Sequence, residues 1–242
     1  MLGGRRAAVR TALPPSVILR ARSARRVLTA RSDPWLTRGL GRAEAHGVRM
    51  RPLERRHADS WGAAMRANYQ RMSPWWSLNE GEMVRTTDRI AFMSHFVEWE
   101  RRRRASVGIC MVFVGPDESV VGEVQVWHVR HGGRTCEIGL WLAPDQPPGV
   151  TRGAGGCLGQ MLDRMFEVLD LGRVDAPVAA ANPLPRAFLD IGGFCLDARI
   201  PQWRELHGEL VDYDLFGLTP ERWQERRPVT WRVLGPWGSV DV

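Results

Sequence analysis

The 242-residue chain has no lysine; all 34 of its Lys+Arg positions are arginine. That excludes a Schiff-base lysine and the lysine of a Walker-type phosphate loop. Tyrosine is scarce too, with Tyr69 and Tyr213 the only two. Four cysteines, Cys110, Cys136, Cys157 and Cys195, lie inside apolar runs without C-x-x-C spacing. They read as buried, reduced thiols, so no metal site is expected. No stretch approaches the ~20 apolar residues of a membrane span, and no internal repeat is present.

Charge is unevenly placed. Residues 1–49 carry 11 arginines against Asp33 and Glu44, a balance of +9. The remaining 193 residues carry 23 arginines against 25 acids, a balance of −2. The basic character therefore belongs to an N-terminal tail, residues 1–32, which reads as a disordered extension. Contact with RNA or a ribosome is the functional alternative. The tail lacks the apolar core of a secretory signal. The chain reads as cytoplasmic with no membrane association.

Hydrophobic periodicity sets out the elements. Val48–Leu53 alternates as a first strand, and two helical stretches follow over 55–72 and 79–104. Arg101–Arg104 lie at the end of the second, where the helix dipole favours positive charge. The period then changes to strands at 107–114, 120–129 and 135–142, joined by the turn sequences Gly115-Pro116-Asp117 and His131-Gly132-Gly133. A helix over 155–169, a strand at 173–179, a short helix at 186–191 and strands at 195–205 and 210–218 complete the order. The fold class is α+β, β-α-α-β-β-β-α-β-α-β-β, with a mostly antiparallel mixed sheet flanked by helices. Residues 33–219 form the domain; residues 220–242 read as an extension that starts as a helical turn and ends as loop.

The most telling segment runs from Thr135 to Val174. A strand leads through the loop Gln146-Pro147-Pro148-Gly149-Val150-Thr151-Arg152-Gly153-Ala154 into a helix. Backbone N–H groups at such a helix start hold phosphate, and glycines let the backbone approach.

In this order, Glu137-Ile138-Gly139-Leu140-Trp141, the Gly-rich loop, Asn182 through Gly192-Gly193-Phe194, and the His207-Gly208 turn before Asp212–Thr219 resemble a GNAT-superfamily N-acetyltransferase. The likeness is greatest to the group that acetylates N-termini of ribosomal proteins. The resemblance covers Val48 to Thr219 and implies acetyl-CoA as co-substrate. It places the pyrophosphate on Gln146, Gly149, Val150, Thr151, Arg152, Gly153 and Ala154. The pantetheine arm goes to the backbone of Trp141, Leu142 and Ala143 and to Asn182. Glu137 is then the base, acting through water, and the Leu142 N–H is the oxyanion donor.

Three positions depart from the family pattern. Thr151 stands where the family has a small residue, Leu140 replaces a tyrosine, and Pro185 replaces a hydroxyl residue. His128 is a candidate acid or substrate contact. The acceptor implied is a primary amine, most often a protein or peptide N-terminus. Trp75, Trp76, Trp99 and Trp127 are candidate walls of its groove. A non-catalytic fold that binds CoA or a partner is the alternative.

Overall fold

The computed structural model describes residues 35–75, 89–130 and 134–234. The N-terminal tail, Trp76, the start of the second helical stretch and the His131-Gly132-Gly133 turn lie outside the described residues. Helix α1 (Trp35–Leu40) leads into β1 (Ala43–Ala45) and β2 (Val48–Pro52). After a 3-10 turn come α2 (Ala58–Met72) and α3 (Arg89–Arg104), then β3 (Ile109–Val114), β4 (Val120–Arg130) and β5 (Thr135–Leu142). Helix α4 (Pro148–Glu167), β6 (Arg173–Ala179), α5 (Arg186–Gly192), β7 (Cys195–Leu206), β8 (Glu209–Leu218) and α6 (Pro220–Leu234) follow.

Eight strands form one sheet in the order β1-β2-β3-β4-β5-β6-β8-β7. Every neighbouring pair is antiparallel except β5 and β6. The expected α+β sheet is therefore observed. Helices cover both faces, each with its own apolar cluster. On one face Leu36, Met50, Ile138, Leu158 and Trp223 pack among α1, α4 and α6. On the other Trp61, Phe92, Phe96, Trp99 and Trp141 pack beneath α2 and α3. β3 is buried along its whole length, as its unbroken run ICMVFV requires. Among the described residues no helix is long and apolar enough to cross a membrane.

Cys110, Cys136 and Cys157 are buried as expected, but Cys195 is exposed; two expectations about elements also need correction. The helix after the Gly-rich loop starts at Pro148, not Gly155. The low helix propensity of glycine argued for a loop, but Pro148 at the first position presets the helix and close packing requires the glycines. A Cβ on Gly153 would lie 2.6 Å from the Ala45 carbonyl oxygen, and one on Gly155 2.7 Å from Leu234.

The second correction concerns residues 220–234, which are one helix despite Pro228. The buried Asp163 carboxylate of α4 holds α6 in place: Trp223 Nε1 donates to it at 2.8 Å and Arg227 Nη2 at 2.9 Å. The Arg101–Arg104 run is not a free cationic patch. Glu98 pairs with Arg101 and Arg102, and Glu100 with Arg103 and Arg104.

His57 closes the 3-10 turn before α2. It is 4% exposed, and its Nδ1 accepts the Glu54 N–H at 3.0 Å. Burial lowers its pKa to about 4. Between pH 6.5 and 4 the unfolded chain takes up a proton that the folded chain refuses. Stability is therefore intact above pH 6.5 and falls as pH drops through that window, by up to about 3 kcal/mol. Urea unfolding at pH 7 and pH 4.5 should show the wild type losing about 2 kcal/mol more than His57→Gln.

Candidate active site

The sheet comes apart in one place. β5 and β6 pair only at Thr135↔Arg173, Cys136↔Val174 and Glu137↔Asp175. β5 then runs on to Leu142, while β6 stays with β8 as far as Ala179↔Tyr213. A wedge-shaped gap results, with Glu137 and Asp175 at its apex and Leu142 and Ala179 at its wide end.

Ladder geometry decides which amides face the gap. The Ala143 N–H donates to Val121 O at 2.8 Å, one step beyond the Gly122↔Leu142 pair. Alternation along an antiparallel ladder then turns the Leu140 and Leu142 N–H groups away from β4 and into the gap. Trp141 and Ala143 point theirs at β4. Of the three residues expected to pair with pantetheine, Leu142 alone turns its N–H into the gap, and Leu140, not expected there, does the same. Asn68 Nδ2 of α2 donates to Leu142 O at 3.1 Å and anchors the strand end.

At the wide end α4 begins without a capping side chain, with Pro147 at the cap. Val150 and Thr151 N–H both donate to Pro147 O, at 2.8 and 3.3 Å. Pro148 has no N–H, so Gly149 carries the amide that the helix start leaves over. A Cβ at Gly149 would meet nothing within 4 Å. Gly149, Thr151 and Arg152 are exposed, which sends the Thr151 side chain to solvent.

Gln146 turns back on its own loop, Nε2 donating to Pro144 O at 3.2 Å. Gly153 and Ala154 fall in the helix interior, against β1 and the core, so they are not brought to the exposed helix start. Asn182 Oδ1 accepts the Leu184 N–H at 3.1 Å in the turn after β6, leaving Nδ2 as its remaining donor. Pro185 caps α5.

The apex is densely polar. Glu137 Oε2 accepts Trp127 Nε1 at 2.8 Å and Arg204 Nη2 at 3.0 Å. His128 Nδ1 lies 2.9 Å from Glu137 Oε1. Burial pushes the Glu137 carboxyl up, but hydrogen bonds from Arg204, His128 and Trp127 outweigh it and hold the pKa below the usual range. Asp175 goes the other way: burial first, then the charges of Glu137 and Asp197, raise it against the pull of Arg173. His128 has φ +52 at the bulge of β4, which aims its half-exposed ring beside Glu137.

Along β5, five residues separate Glu137 from Leu142, about 16 Å of strand. The structure therefore does not bring the expected base and the expected oxyanion donor into direct contact with one reacting atom.

The β7–β8 hairpin roofs this face of the gap. His207 Nε2 donates to Ser73 O at 2.7 Å, joining the hairpin tip to the end of α2. Beneath it the Trp203 and Tyr213 rings meet edge-on at 5.7 Å, with the Arg204 guanidinium 4.1 Å over Trp203. Tyr213 pairs with Ala179 on the far side of β6 from the gap, and its ring lies 5.6 Å from the Arg204 guanidinium that bonds Glu137. Of the expected acceptor tryptophans, Trp127 is at the apex, Trp75 is half-buried in a turn, and Trp99 belongs to the core. Asp175 and Arg204 were not singled out from sequence. A lone acid in the apolar strand RVDAPVA was the available signal for the first; the second depends on long-range pairing.

A sheet split between parallel neighbours, with a helix start at its mouth, offers unpaired amides to an elongated, phosphate-bearing ligand. The chain belongs to the GNAT acetyltransferases, whose co-substrate is acetyl-CoA: the family's domain model, acetyltransferase (GNAT) domain, matches residues 48–194.

Solved structures share the fold. Mycobacterium smegmatis RimJ, in complex with CoA-disulfide, is 24% identical with a TM-score of 0.70 over 80% of this chain and 92% of that one. A ribosomal-protein alanine acetyltransferase from Vibrio fischeri is 16% identical, with a TM-score of 0.64 over 76% and 98%. The microcin self-immunity acetyltransferase MccE, in complex with acetyl-CoA and AMP, is 14% identical, with a TM-score of 0.62 over 72% and 92%. No curated protein sequence matches the chain.

The residues present fit the nucleotide: free amides line the gap, the helix start is uncovered, and Arg152 is exposed beside it. Gly149→Ala should leave thermal unfolding within about 0.5 kcal/mol of wild type, since its Cβ meets only open space. It should weaken CoA binding measured by calorimetry. Gly153→Ala should do the reverse, losing about 1–3 kcal/mol of stability to overpacking against Ala45 while leaving CoA affinity intact in the folded fraction.

Proposed function

We propose that the chain transfers an acetyl group from acetyl-CoA to a primary amine, with the N-terminal α-amino group of a protein or peptide as acceptor. The carrying observation is the His128–Glu137 pair at the apex of the gap. A carboxylate that holds His128 Nδ1 leaves Nε2 free to take the acceptor's proton and stabilises the imidazolium that forms. Glu137, with both oxygens occupied, serves to position His128 rather than to act as the base itself. Asp175 beside it adds negative charge where an ammonium group arrives.

Bound acetyl-CoA supplies the activated thioester. The Leu140 and Leu142 N–H groups then act as donors toward an oxygen held in the gap, and water along the wedge carries the acceptor's proton over the strand length that separates them from His128. Gly149 to Arg152 take the phosphates, and Asn182 Nδ2 serves the pantetheine arm. Tyr213, whose ring neighbours the Arg204 guanidinium that bonds Glu137, is the hydroxyl we assign to protonate the departing thiolate, the task that Pro185 cannot do. Ribosomal-protein acetyltransferases among the fold's neighbours support a protein N-terminus as acceptor. A small amine and a ribosome contact through the arginine-rich tail remain alternatives to test.

A second reading has an observation of its own. The saturated Glu137 carboxylate and Pro185 at the start of α5 also suit a domain that binds CoA without turnover. Thiol release on a panel of N-terminal peptides separates the two. The catalytic reading expects acceptor-dependent CoA release that falls roughly 10²-fold or more in His128→Gln, with a comparable loss of kcat in Tyr213→Phe. CoA-induced thermal stabilisation with no release on any peptide selects the second reading.

A further inference from the structure

A separate cluster of titratable groups lies where α2 and α3 cover the sheet. Glu123 of β4, Cys110 of β3 and His95 of α3 each bring one donor atom within 4.8 Å of the others. His95 Nε2 is 3.2 Å from Glu123 Oε2 and 4.0 Å from Cys110 Sγ. Glu123 has no solvent contact and Cys110 is 3% exposed; His95 keeps 20% of its side chain in solvent. The cluster is distinct from the apex, because Glu123 precedes Trp127 by four residues, about 13 Å of strand.

We propose that His95, Cys110 and Glu123 form a site for one divalent transition-metal ion, zinc by ligand chemistry, with a fourth position open past His95. Imidazole, thiolate and carboxylate are all zinc ligands. Bond lengths of about 2.0–2.3 Å put ligand atoms of a tetrahedral site about 3.3–3.6 Å apart. The nitrogen–oxygen separation already matches, and the sulfur needs to move by about half an ångström.

Charge gives a second reason. A carboxylate beside a thiol in a fully buried place is costly to ionise further, whereas one thiolate and one carboxylate cancel a divalent ion. Coordination forms the metal–sulfur bond, releases the thiol proton to solvent and leaves the imidazole as its Nδ1–H tautomer. Trp61 Nε1, 2.7 Å from Glu123 Oε2, and Gln125 Nε2 on Oε1 would orient the carboxylate from outside. The Trp61 and Trp99 rings flank His95, with centroids at 5.1 and 6.2 Å, and restrict water.

The test uses the full chain, stripped by chelator and titrated with cobalt(II), then zinc. One cobalt per chain should bind with a thiolate-to-cobalt charge-transfer band, and zinc should displace it. Cys110→Ser should abolish the band, His95→Gln should weaken binding at least tenfold, and Cys195→Ser should change neither. Zinc-edge X-ray absorption on the wild type needs no variant and should show one sulfur at about 2.3 Å. Absence of stoichiometric binding, a metal shell without sulfur, or a band that survives Cys110→Ser overturns the proposal.

Discussion

The architecture depends on how little β5 and β6 share. Three paired residues hold the two halves of the sheet together, and each half is otherwise closed by its own ladder and helices. Fewer pairs would leave two separate bodies; more would fill the gap and satisfy the Leu140 and Leu142 amides with protein. A buried backbone group that the strand cannot pair asks for a partner from outside. The opening is thus a direct result of hydrogen-bond accounting, and the helix start of α4 lies at its mouth because β5 feeds straight into it.

A chain without lysine builds its polar sites from planar, permanently charged forks. Arg204 bonds the Glu137 carboxylate while stacking on Trp203, two roles that a compact ammonium group cannot fill together. Asp214 repeats the device: fully buried, it is held by Arg186 from α5 and Arg199 from β7, which ties the start of the short helix to the hairpin. Such carboxylates stay ionised and fixed in direction.

Much of this was legible in the residues. Strand edges from Thr135 to Leu142 and from Arg173 to Ala179 coincide with their apolar patterns, because both lie in the interior of the sheet, where periodicity is cleanest. The strand–loop–helix unit around Gly149 was legible in its Gly-rich loop. Packing against distant partners hid the rest. Gly153 read as a loop glycine and Gly155 as the helix start until β1 and Leu234 were beside them. Pro228 argued against a helix that α4 stabilises from outside. The sidedness of β5, which separates Leu142 from Trp141 and Ala143, depends on hydrogen-bond phase rather than composition, and the Arg204–Glu137 contact joins residues 67 apart.

The clamp between α4 and α6 has a consequence for the order in which the molecule can be completed. Asp163 is fully buried, and its partners Trp223 and Arg227 are made only after every strand of the sheet. While the chain is being synthesised, α4 can dock on β1 and β2 before α6 supplies the Trp223 and Arg227 contacts to Asp163. The nascent molecule therefore holds a nearly complete sheet with a loosely seated helix. The helix that begins beside Gly149 thus receives its last anchor only when the C-terminal helix is made.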